Sequence, residues 1–143
     1  MAEWEPQVVP MLAYEDGPAA MDWLAKAFGF VEVVRMVGPD GRLSHGEMMT
    51  GEESEGMIML ATPSPHYQSP RHHRDTCQAA ARWSEVPYII DGVLVYVDDV
   101  DAHFERAREA GATVLSGVES GGPGKRYRAE DPEGHRWMFI QRR

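Results

Sequence analysis

Apolar and polar residues follow the same order in two stretches of the chain, residues 11–34 and residues 93–116. Each stretch begins with a short apolar run and continues with acidic residues, a helical stripe of apolar residues, a glycine and a second β-type run. The residues that match are Leu12 and Leu94, Tyr14 and Tyr96, Asp16 and Asp98, Ala20 and Ala102, Ala25 and Ala107, and Gly29 and Gly111. The pattern predicts an internal repeat whose two copies pack together.

Each of the two predicted helices has a start signal and a stop signal. Acidic residues favour a helix N-terminus, and a glycine commonly ends a helix. These residues are Asp16 and Gly29 for the first helix, and Asp98, Asp99, Asp101 and Gly111 for the second. The signals predict a helix of about three turns in each repeat.

Two further β-type runs follow the repeated part of each stretch. Residues 42–50 and 56–62 supply them in the first repeat, and residues 125–131 and 136–141 supply them in the second. Each repeat is therefore predicted to be a βαβββ module, and the fold class is predicted to be α+β.

A long segment that contains several prolines separates the two modules. We predict a single domain in which a first module at residues 7–61 and a second module at residues 92–141 are joined by a linker at residues 62–91. Inside the linker, residues 75–84 have a helical composition, and we predict that Asp75 is the N-cap of that helix.

The chain is acidic, with 23 acidic and 14 basic residues and a formal net charge of −9. Proteins that bind nucleic acid need a basic surface that neutralises phosphates, so we do not expect nucleic acid as a partner. Two basic clusters, residues 71–74 and residues 124–128, are interpreted as solvated loops.

The expected location is the cytoplasm. Cys77 is the only cysteine, which excludes an intrachain disulfide and fits a reducing compartment. The N-terminal residues have no basic segment followed by an apolar run, so no signal peptide is predicted. No stretch approaches the ~20 apolar residues that a membrane span needs, so no membrane partner is expected.

Four features of the chain occur together: the paired modules, the helix AAMDWLAKAFGF, the segment VYVDDVDAHFERAREAGA and the closing DPEGHRWMF. In this combination they resemble the vicinal oxygen chelate superfamily. The superfamily includes glyoxalase I, bleomycin-resistance proteins and extradiol dioxygenases. The resemblance implies that the tandem βαβββ modules form a glyoxalase-like, half-open mixed-sheet barrel around a pocket. It also implies a homodimer.

Catalytic members of that superfamily hold one divalent metal through side chains on several strands, and the resemblance places these positions at Val9, Met59, Gly92 and Met138. Valine and glycine have no donor side chain, and a thioether is a soft ligand that suits Cu(I)-like ions. We therefore expect no metal and no cofactor, and we interpret Val9, Met59 and Met138 as the floor of an apolar pocket.

Further candidate ligand contacts follow from that assignment. Strand alternation adds Met11, Leu94 and Tyr96 to the face of the pocket floor. Adaptable methionines suit a hydrophobic or aromatic ligand, although plain core packing is the alternative for each of them. The candidate contacts at the pocket mouth are Arg35, Tyr127 and His135. For the first two, a solvated strand end is the alternative.

His45 and Glu47 are the candidate catalytic residues. They are two positions apart, so on a strand their side chains point to the same face. An imidazole beside a carboxylate can act as an acid–base pair or bind a polar ligand. The alternative is a solvent-facing pair on the outer side of the sheet.

The remaining histidines and the cysteine do not predict a site. The cluster of His66, His72, His73 and Cys77 matches no standard zinc spacing, so it is interpreted as a basic loop. His103 is interpreted as an exposed histidine on the second helix.

Two functions remain open at this point, with an interaction module as a third. The first is a metal-free protein that binds or sequesters a small hydrophobic or cationic molecule, as bleomycin-resistance-like members do. The second is a divergent lyase, isomerase or dioxygenase-type enzyme of the same superfamily. It would be either a lyase or isomerase that uses His45 and Glu47, or an enzyme with a metal held in a non-standard way. The third is a dimeric interaction module without a small-molecule role.

Overall fold

A computed structural model describes residue 6 and residues 8–53, 56–88 and 90–143 of the protein. Residue 7, the predicted start of the first module, lies outside the described residues. In chain order the elements are β1 (Met11–Ala13), α1 (Gly17–Phe28), β2 (Val31–Val37), β3 (Leu43–Met49), β4 (Met57–Ala61), α2 (Pro70–Thr76), α3 (Gln78–Trp83), β5 (Gly92–Val97), α4 (Val100–Glu109), β6 (Thr113–Glu119), β7 (Arg126–Glu130) and β8 (Arg136–Gln141). Among the described helices, none has both the length and the apolar character that crossing a membrane requires.

The strands form two four-stranded sheets with the same topology, β1-β4-β3-β2 and β5-β8-β7-β6. In each sheet the first and last strands of the module pair in parallel, with Met11 opposite Met59 and Leu94 opposite Met138. The other strand pairs are antiparallel. The predicted βαβββ modules and the α+β class with mixed sheets are therefore confirmed. Within the described residues, neither sheet closes on itself.

The chain divides into two compact units that do not coincide with the predicted modules. The first unit contains the residues up to 25 and residues 29–67, and the second contains residues 26–28 and residues 68–143. Most of the predicted linker therefore belongs to the second unit. The last turn of α1 belongs to it as well.

Aspartates begin the helices of both modules. The Asp16 carboxylate accepts a hydrogen bond from the amide of Ala19 at 3.1 Å, and the Asp99 carboxylate accepts one from Ala102 at 3.1 Å. The sequence alignment paired Asp16 with Asp98, and this pairing is wrong by one residue. It fails because Asp16 stands 13 positions before Gly29, whereas Asp99 stands 12 positions before Gly111. Gly111 also comes one position after Ala110, the C-cap residue of α4.

In the first unit, α1 covers one face of the sheet. Gly46 makes this close approach possible, because a Cβ atom at that position would lie 2.8 Å from the sulfur of Met21 on α1. Met48, Ile58 and Leu60 are buried on the same face as Gly46. Among the described residues of this unit, no helix covers the opposite face, which carries Glu47 and Met59.

Aromatic rings fill the core of the second unit. Tyr127, Trp137 and Phe139 have no solvent exposure. The ring of Phe28, from the last turn of α1, lies with its centroid 4.6 Å from that of Phe139 and 5.5 Å from that of Trp137. The apolar run of the last strand shows no alternation in the sequence. In the structure, Trp137 and Phe139 of this run point to the side of the sheet where Phe28 of α1 lies.

The predicted helix at residues 75–84 is wrong in its limits. Two short helices, α2 and α3, lie in this region, and they are separated at Cys77, whose backbone is extended at φ −135° and ψ 113°. Pro70 occupies the first turn of α2, where its missing N–H has no cost. The helix therefore starts five positions before Asp75, and Asp75 lies inside its last turn and does not cap a helix.

A buried ion-pair network attaches this region to the second sheet. Glu130 accepts hydrogen bonds from Arg74 at 2.6 and 2.9 Å and from Arg136 at 3.0 Å. The interpretation of residues 71–74 as a solvated loop is therefore wrong, because Arg74 provides a counter-charge for a carboxylate with 2% side-chain exposure. Burial alone would raise the pKa of Glu130, but the hydrogen bonds and charges of the two arginines outweigh it and hold this pKa below its usual value.

Candidate functional site

The second sheet has a partly exposed apolar face. Leu94 lies opposite Met138, and Tyr96 lies opposite Ile140 in the parallel pair of β5 and β8. Leu94 is 43% exposed and Tyr96 is 55% exposed. Along β5 they alternate with Val93 and Val95, which lie opposite the core residues Trp137 and Phe139. The side chains of Leu94 and Tyr96 therefore point to the other side of the sheet. We name Leu94, Tyr96 and Met138 the second open face.

Polar side chains border this face on β6 and β7. Arg128 lies opposite Met138 on one side and opposite Ser116 on the other. Its Nη1 donates to the Ser116 hydroxyl at 3.2 Å and to the Glu119 carboxylate at 2.8 Å. Its guanidinium carbon lies 6.0 Å from the ring centre of Tyr88. The sequence interpretation of residues 124–128 as a solvated loop is wrong, because Arg128 is a strand residue with 15% side-chain exposure.

The first sheet also has an open face, made of Met11, Met36, His45, Glu47 and Met59. Met59 lies opposite both Met11 and Glu47, and Met36 lies opposite His45. Met11 is 80% exposed and Met36 is 56% exposed. The register therefore brings two predicted apolar contacts, Met11 and Met59, to the face that carries the candidate catalytic pair.

His45 and Glu47 share this first open face, as strand alternation predicts. Nε2 of His45 lies 3.1 Å from Oε2 of Glu47, and the two side chains are 37% and 22% exposed. The contact is a hydrogen bond when Nε2 carries the proton and an ion pair when the ring is charged. The pair can accept or supply a proton at a ligand on this face, or hold a polar group of that ligand.

Three other predicted contacts lie outside the two open faces. Arg35 forms ion pairs with Asp22 of α1 at 2.6 Å and with Glu32 at 2.7 Å, so it lies at the helix-covered side of the first sheet. These hydrogen bonds raise the pKa of Arg35. Val9 precedes β1 and lies in no strand. His135 is in the turn before β8, where its amide donates to the Asp131 carboxylate at 3.1 Å.

Tyr127 and His103 lie inside the second unit. Tyr127 is fully buried, and this differs from both positions predicted for it, the pocket mouth and a solvated strand end. Its hydroxyl lies 2.5 Å from Nδ1 of His103, whose Nε2 donates to the carbonyl oxygen of Phe28 at 3.0 Å. The interpretation of His103 as an exposed histidine is therefore wrong. Burial lowers the pKa of His103 to about 4 and raises the pKa of the Tyr127 hydroxyl.

The linker histidines do not form a metal site. His66, His72 and His73 are exposed, and Cys77 is partly exposed. In the part of the chain that the structure describes, no three His, Cys, Asp or Glu side chains are grouped closely enough to hold a metal ion.

A groove of about 570 Å³ lies in the first unit, away from all the predicted contacts. Its walls include Pro39, Arg42, Ser44 and Pro63. Asp40, also in its wall, is ion-paired with Arg42 at 2.6 Å. Backbone and side-chain hydrogen bonds from Arg42 lower the pKa of Asp40. The groove brings none of the predicted site residues together.

Residues 7–139 match the family model of the glyoxalase/bleomycin resistance protein/dioxygenase superfamily. The chain belongs to this superfamily. The match covers both modules and the region between them, which confirms the resemblance found in the sequence.

Three similar proteins align with almost the whole chain. An uncharacterized protein of Mycobacterium bovis, Mb0911c, is 36% identical over 142 residues, which are 96% of this chain and 84% of the relative. TioX from Micromonospora sp. ML1, whose crystal structure is known, is 30% identical in sequence to this chain. The two structures superpose with a TM-score of 0.67, and the match covers 96% of this chain and 97% of the TioX chain. TnmS3, an antibiotic binding protein from Streptomyces sp. CB03234, is 19% identical with a TM-score of 0.62, covers 96% and 98% of the two chains, and shows the shared fold.

The superfamily's divalent metal does not fit the residues at the positions that the resemblance assigns to its ligands. Met59 and Met138 occupy equivalent places in the two sheets, each opposite a residue of the first strand of its module. Thioethers bind hard divalent cations poorly, and Val9 and Gly92 have no donor side chain. His45 and Glu47, the ionisable donors on the first open face, supply two ligands, which is fewer than a closed zinc or calcium site uses.

We therefore predict that the purified protein takes up almost no divalent metal. Incubation with Zn²⁺, Ni²⁺, Mn²⁺ or Fe²⁺ followed by desalting should leave far less than one ion per chain by elemental mass spectrometry. A His45→Gln variant is the matched control, because it removes the one histidine on the open faces. About one ion per chain in the wild type, lost in this variant, would contradict the prediction and place a metal on the first open face.

Proposed function

We propose that the protein binds an apolar or aromatic small molecule on the second open face and does not transform it. The exposed apolar side chains of Leu94 and Tyr96 beside Met138 carry this proposal. Exposed apolar patches of this kind mark binding surfaces, and a flexible thioether adapts to ligands of different shape. The fold shared with an antibiotic binding protein supports an antibiotic-like ligand.

The charge of the ligand is the finer part of this proposal. The net charge of −9 favours a cation at long range, but salt screens such attraction beyond about 10 Å. Close to the second open face, the charged neighbours on β7 are Arg126 and Arg128, and Glu119 is their partner. These contacts favour a hydrophobic ligand over a cationic one. The homodimer and the cytoplasmic location also remain predictions.

Leu94→Lys is expected to weaken ligand binding at least about tenfold, because the ligand would have to cover a charged ammonium group. The probe is N-phenyl-1-naphthylamine, a neutral aromatic dye whose fluorescence rises on transfer to an apolar site, and fluorescence titration gives its Kd.

Val114→Lys is the matched control for this substitution. Val114 is 38% exposed and lies opposite Ala129, on the side of the second sheet that faces the aromatic core. The Kd of the Val114→Lys variant for the dye should stay at the wild-type value. Absence of dye binding to the wild type, or equal affinities for the Leu94→Lys and wild-type proteins, would refute the proposal.

A second function is favoured by the contact between His45 and Glu47. A histidine paired with a carboxylate at 3.1 Å on an open face is suited to proton transfer, so we also propose lyase or isomerase chemistry at this pair. Turnover of small carbonyl compounds that is lost in both His45→Gln and Glu47→Gln, with dye binding unchanged, would support this enzyme function. Turnover that survives both substitutions would exclude the pair.

A further inference from the structure

Arg128 is placed where it can reach a ligand on the second open face. It lies directly opposite Met138, and Met138 lies directly opposite Leu94. Neighbouring strands are about 4.8 Å apart, so these three residues span roughly 10 Å across the sheet. That span is comparable to the length of a two-ring aromatic system. A ring placed over Leu94 and Met138 would therefore present its edge to Arg128.

The hydrogen bonds of Arg128 leave part of its guanidinium group free. Both of its side-chain hydrogen bonds, to Ser116 and to Glu119, start from Nη1. Among the described residues, no hydrogen-bond acceptor is found for its Nε or its Nη2. A guanidinium group carries N–H donors on all three nitrogens and presents them in a fixed plane that matches a carboxylate. Arg128 thus keeps donors for which the described part of the chain supplies no acceptor.

The neighbouring Arg126 differs from Arg128 in this respect. Its Nη1 donates to the carbonyl oxygens of Gly121 at 2.6 Å and Gly124 at 3.0 Å, so it holds the turn before β7. The Nε of Arg126 is buried, with no hydrogen-bond partner among the described residues. A buried atom cannot meet a ligand without a rearrangement. Arg126 could therefore offer only Nη2, which lies 3.7 Å from the Glu119 carboxylate, whereas Arg128 could offer Nε and Nη2 together.

We propose that Arg128 determines ligand specificity by donating from Nε and Nη2 to an oxygen acceptor on the ligand. The ligand class is an aromatic or apolar ring system that carries a carboxylate, a sulfonate or a comparable anionic oxygen group. The ring covers Leu94 and Met138, while Ser116 and Glu119 hold the guanidinium group in place. This inference rests on the proposed function, because it requires the ligand to lie on the second open face.

Two dyes with the same ring skeleton test this assignment. 1-Anilinonaphthalene-8-sulfonate carries a sulfonate group, and N-phenyl-1-naphthylamine lacks it. We expect the wild type to bind the sulfonate dye about tenfold more tightly than the neutral dye, as a hydrogen bond to a charged group provides. In the Arg128→Met variant the two Kd values should become equal within about twofold.

Arg108→Met is the control for the loss of one positive charge. Arg108 lies on α4, is 53% exposed and pairs with Glu105, so it is an exposed helix residue. The preference for the sulfonate dye should persist in this variant. Loss of the preference in both variants would mean that net charge, and not Arg128, sets it, and would overturn the assignment.

The remaining outcomes separate this inference from the proposed function. If neither dye binds the wild type, both fail. If the neutral dye binds and Leu94→Lys abolishes that binding, but Arg128→Met leaves the ratio of Kd values unchanged, only the role of Arg128 fails. If Arg128→Met no longer binds the neutral dye, Arg128→Lys decides, because it keeps the charge but loses the planar fork. A reduced preference in that variant supports the assignment, and an unchanged preference overturns it.

Discussion

Replacing Arg136 with methionine is expected to lower the free energy of unfolding by about 3–5 kcal/mol, the cost of removing one partner from a buried ion pair. The side chains of Arg136 and Glu130 are only 6% and 2% exposed. Arg136 also donates to the carbonyl oxygens of Ser84 at 2.5 Å, Val86 at 2.8 Å and Tyr88 at 2.6 Å. The substitution would leave these three carbonyl oxygens without this donor, and it would leave Glu130 with Arg74 as its closest remaining partner. It would also release residues 84–88 from the second sheet.

Urea unfolding followed by circular dichroism measures this effect. The matched control is again Arg108→Met, whose exposed ion pair should contribute less than about 1 kcal/mol. Adding Glu130→Gln to Arg136→Met should cost less than the sum of the two single substitutions, because both remove the same ion pair. A loss below about 1 kcal/mol for Arg136→Met would show that the network contributes little to stability.

Stability should also fall as the pH drops from 6.5 to 4, because His103 resists protonation in the folded state. Its pKa is lowered from 6.5 to about 4 by burial and by the charge of Arg106, against the raising effect of its hydrogen bond to Phe28. Above pH 6.5 the ring is neutral in both states. Between pH 6.5 and 4 the unfolded chain takes up a proton that the folded chain does not, so unfolding becomes more favourable by about 3 kcal/mol.

A His103→Gln variant isolates this contribution from that of other titrating groups. The amide of glutamine can still donate to the Phe28 carbonyl, but it does not titrate in this range. The difference in unfolding free energy between wild type and variant should therefore change by about 3 kcal/mol between pH 6.5 and pH 4. His66→Gln, at an exposed histidine, should show no such change. If this difference stayed constant for His103→Gln, the ring would take up its proton in the folded protein over the same pH range as in the unfolded chain.

The modules were predictable from the sequence because their signals are local. A capping aspartate, a helical stripe and a closing glycine lie within about 15 residues of one another, and Asp16 and Gly29 mark α1 as expected. The linker was mispredicted because its structure depends on distant partners. Arg74 and Glu130 are 56 positions apart in the chain, and no local pattern indicates that they meet.

The open faces were predictable only where alternation separates two sides of a strand. Alternation placed His45 and Glu47 on one face, and the 3.1 Å contact between them agrees. Tyr127 was mispredicted because its strand reads as polar, although its neighbours on both sides are arginines that point the other way. Arg128 was overlooked for the same reason: a charged residue on a polar strand looks like a solvated one, and only the register opposite Met138 reveals its position.

Phe28 has a consequence for how this tandem repeat has diverged. Its ring belongs to the core of the second unit, although its helix begins in the first module. A fragment of residues 68–143 would therefore lack a core ring beside Phe139 and Trp137, and Nε2 of His103 would lose its acceptor. The two copies are thus no longer interchangeable halves. An isolated second half should need a peptide ending in Lys26–Phe28 supplied in trans before it can regain its native core.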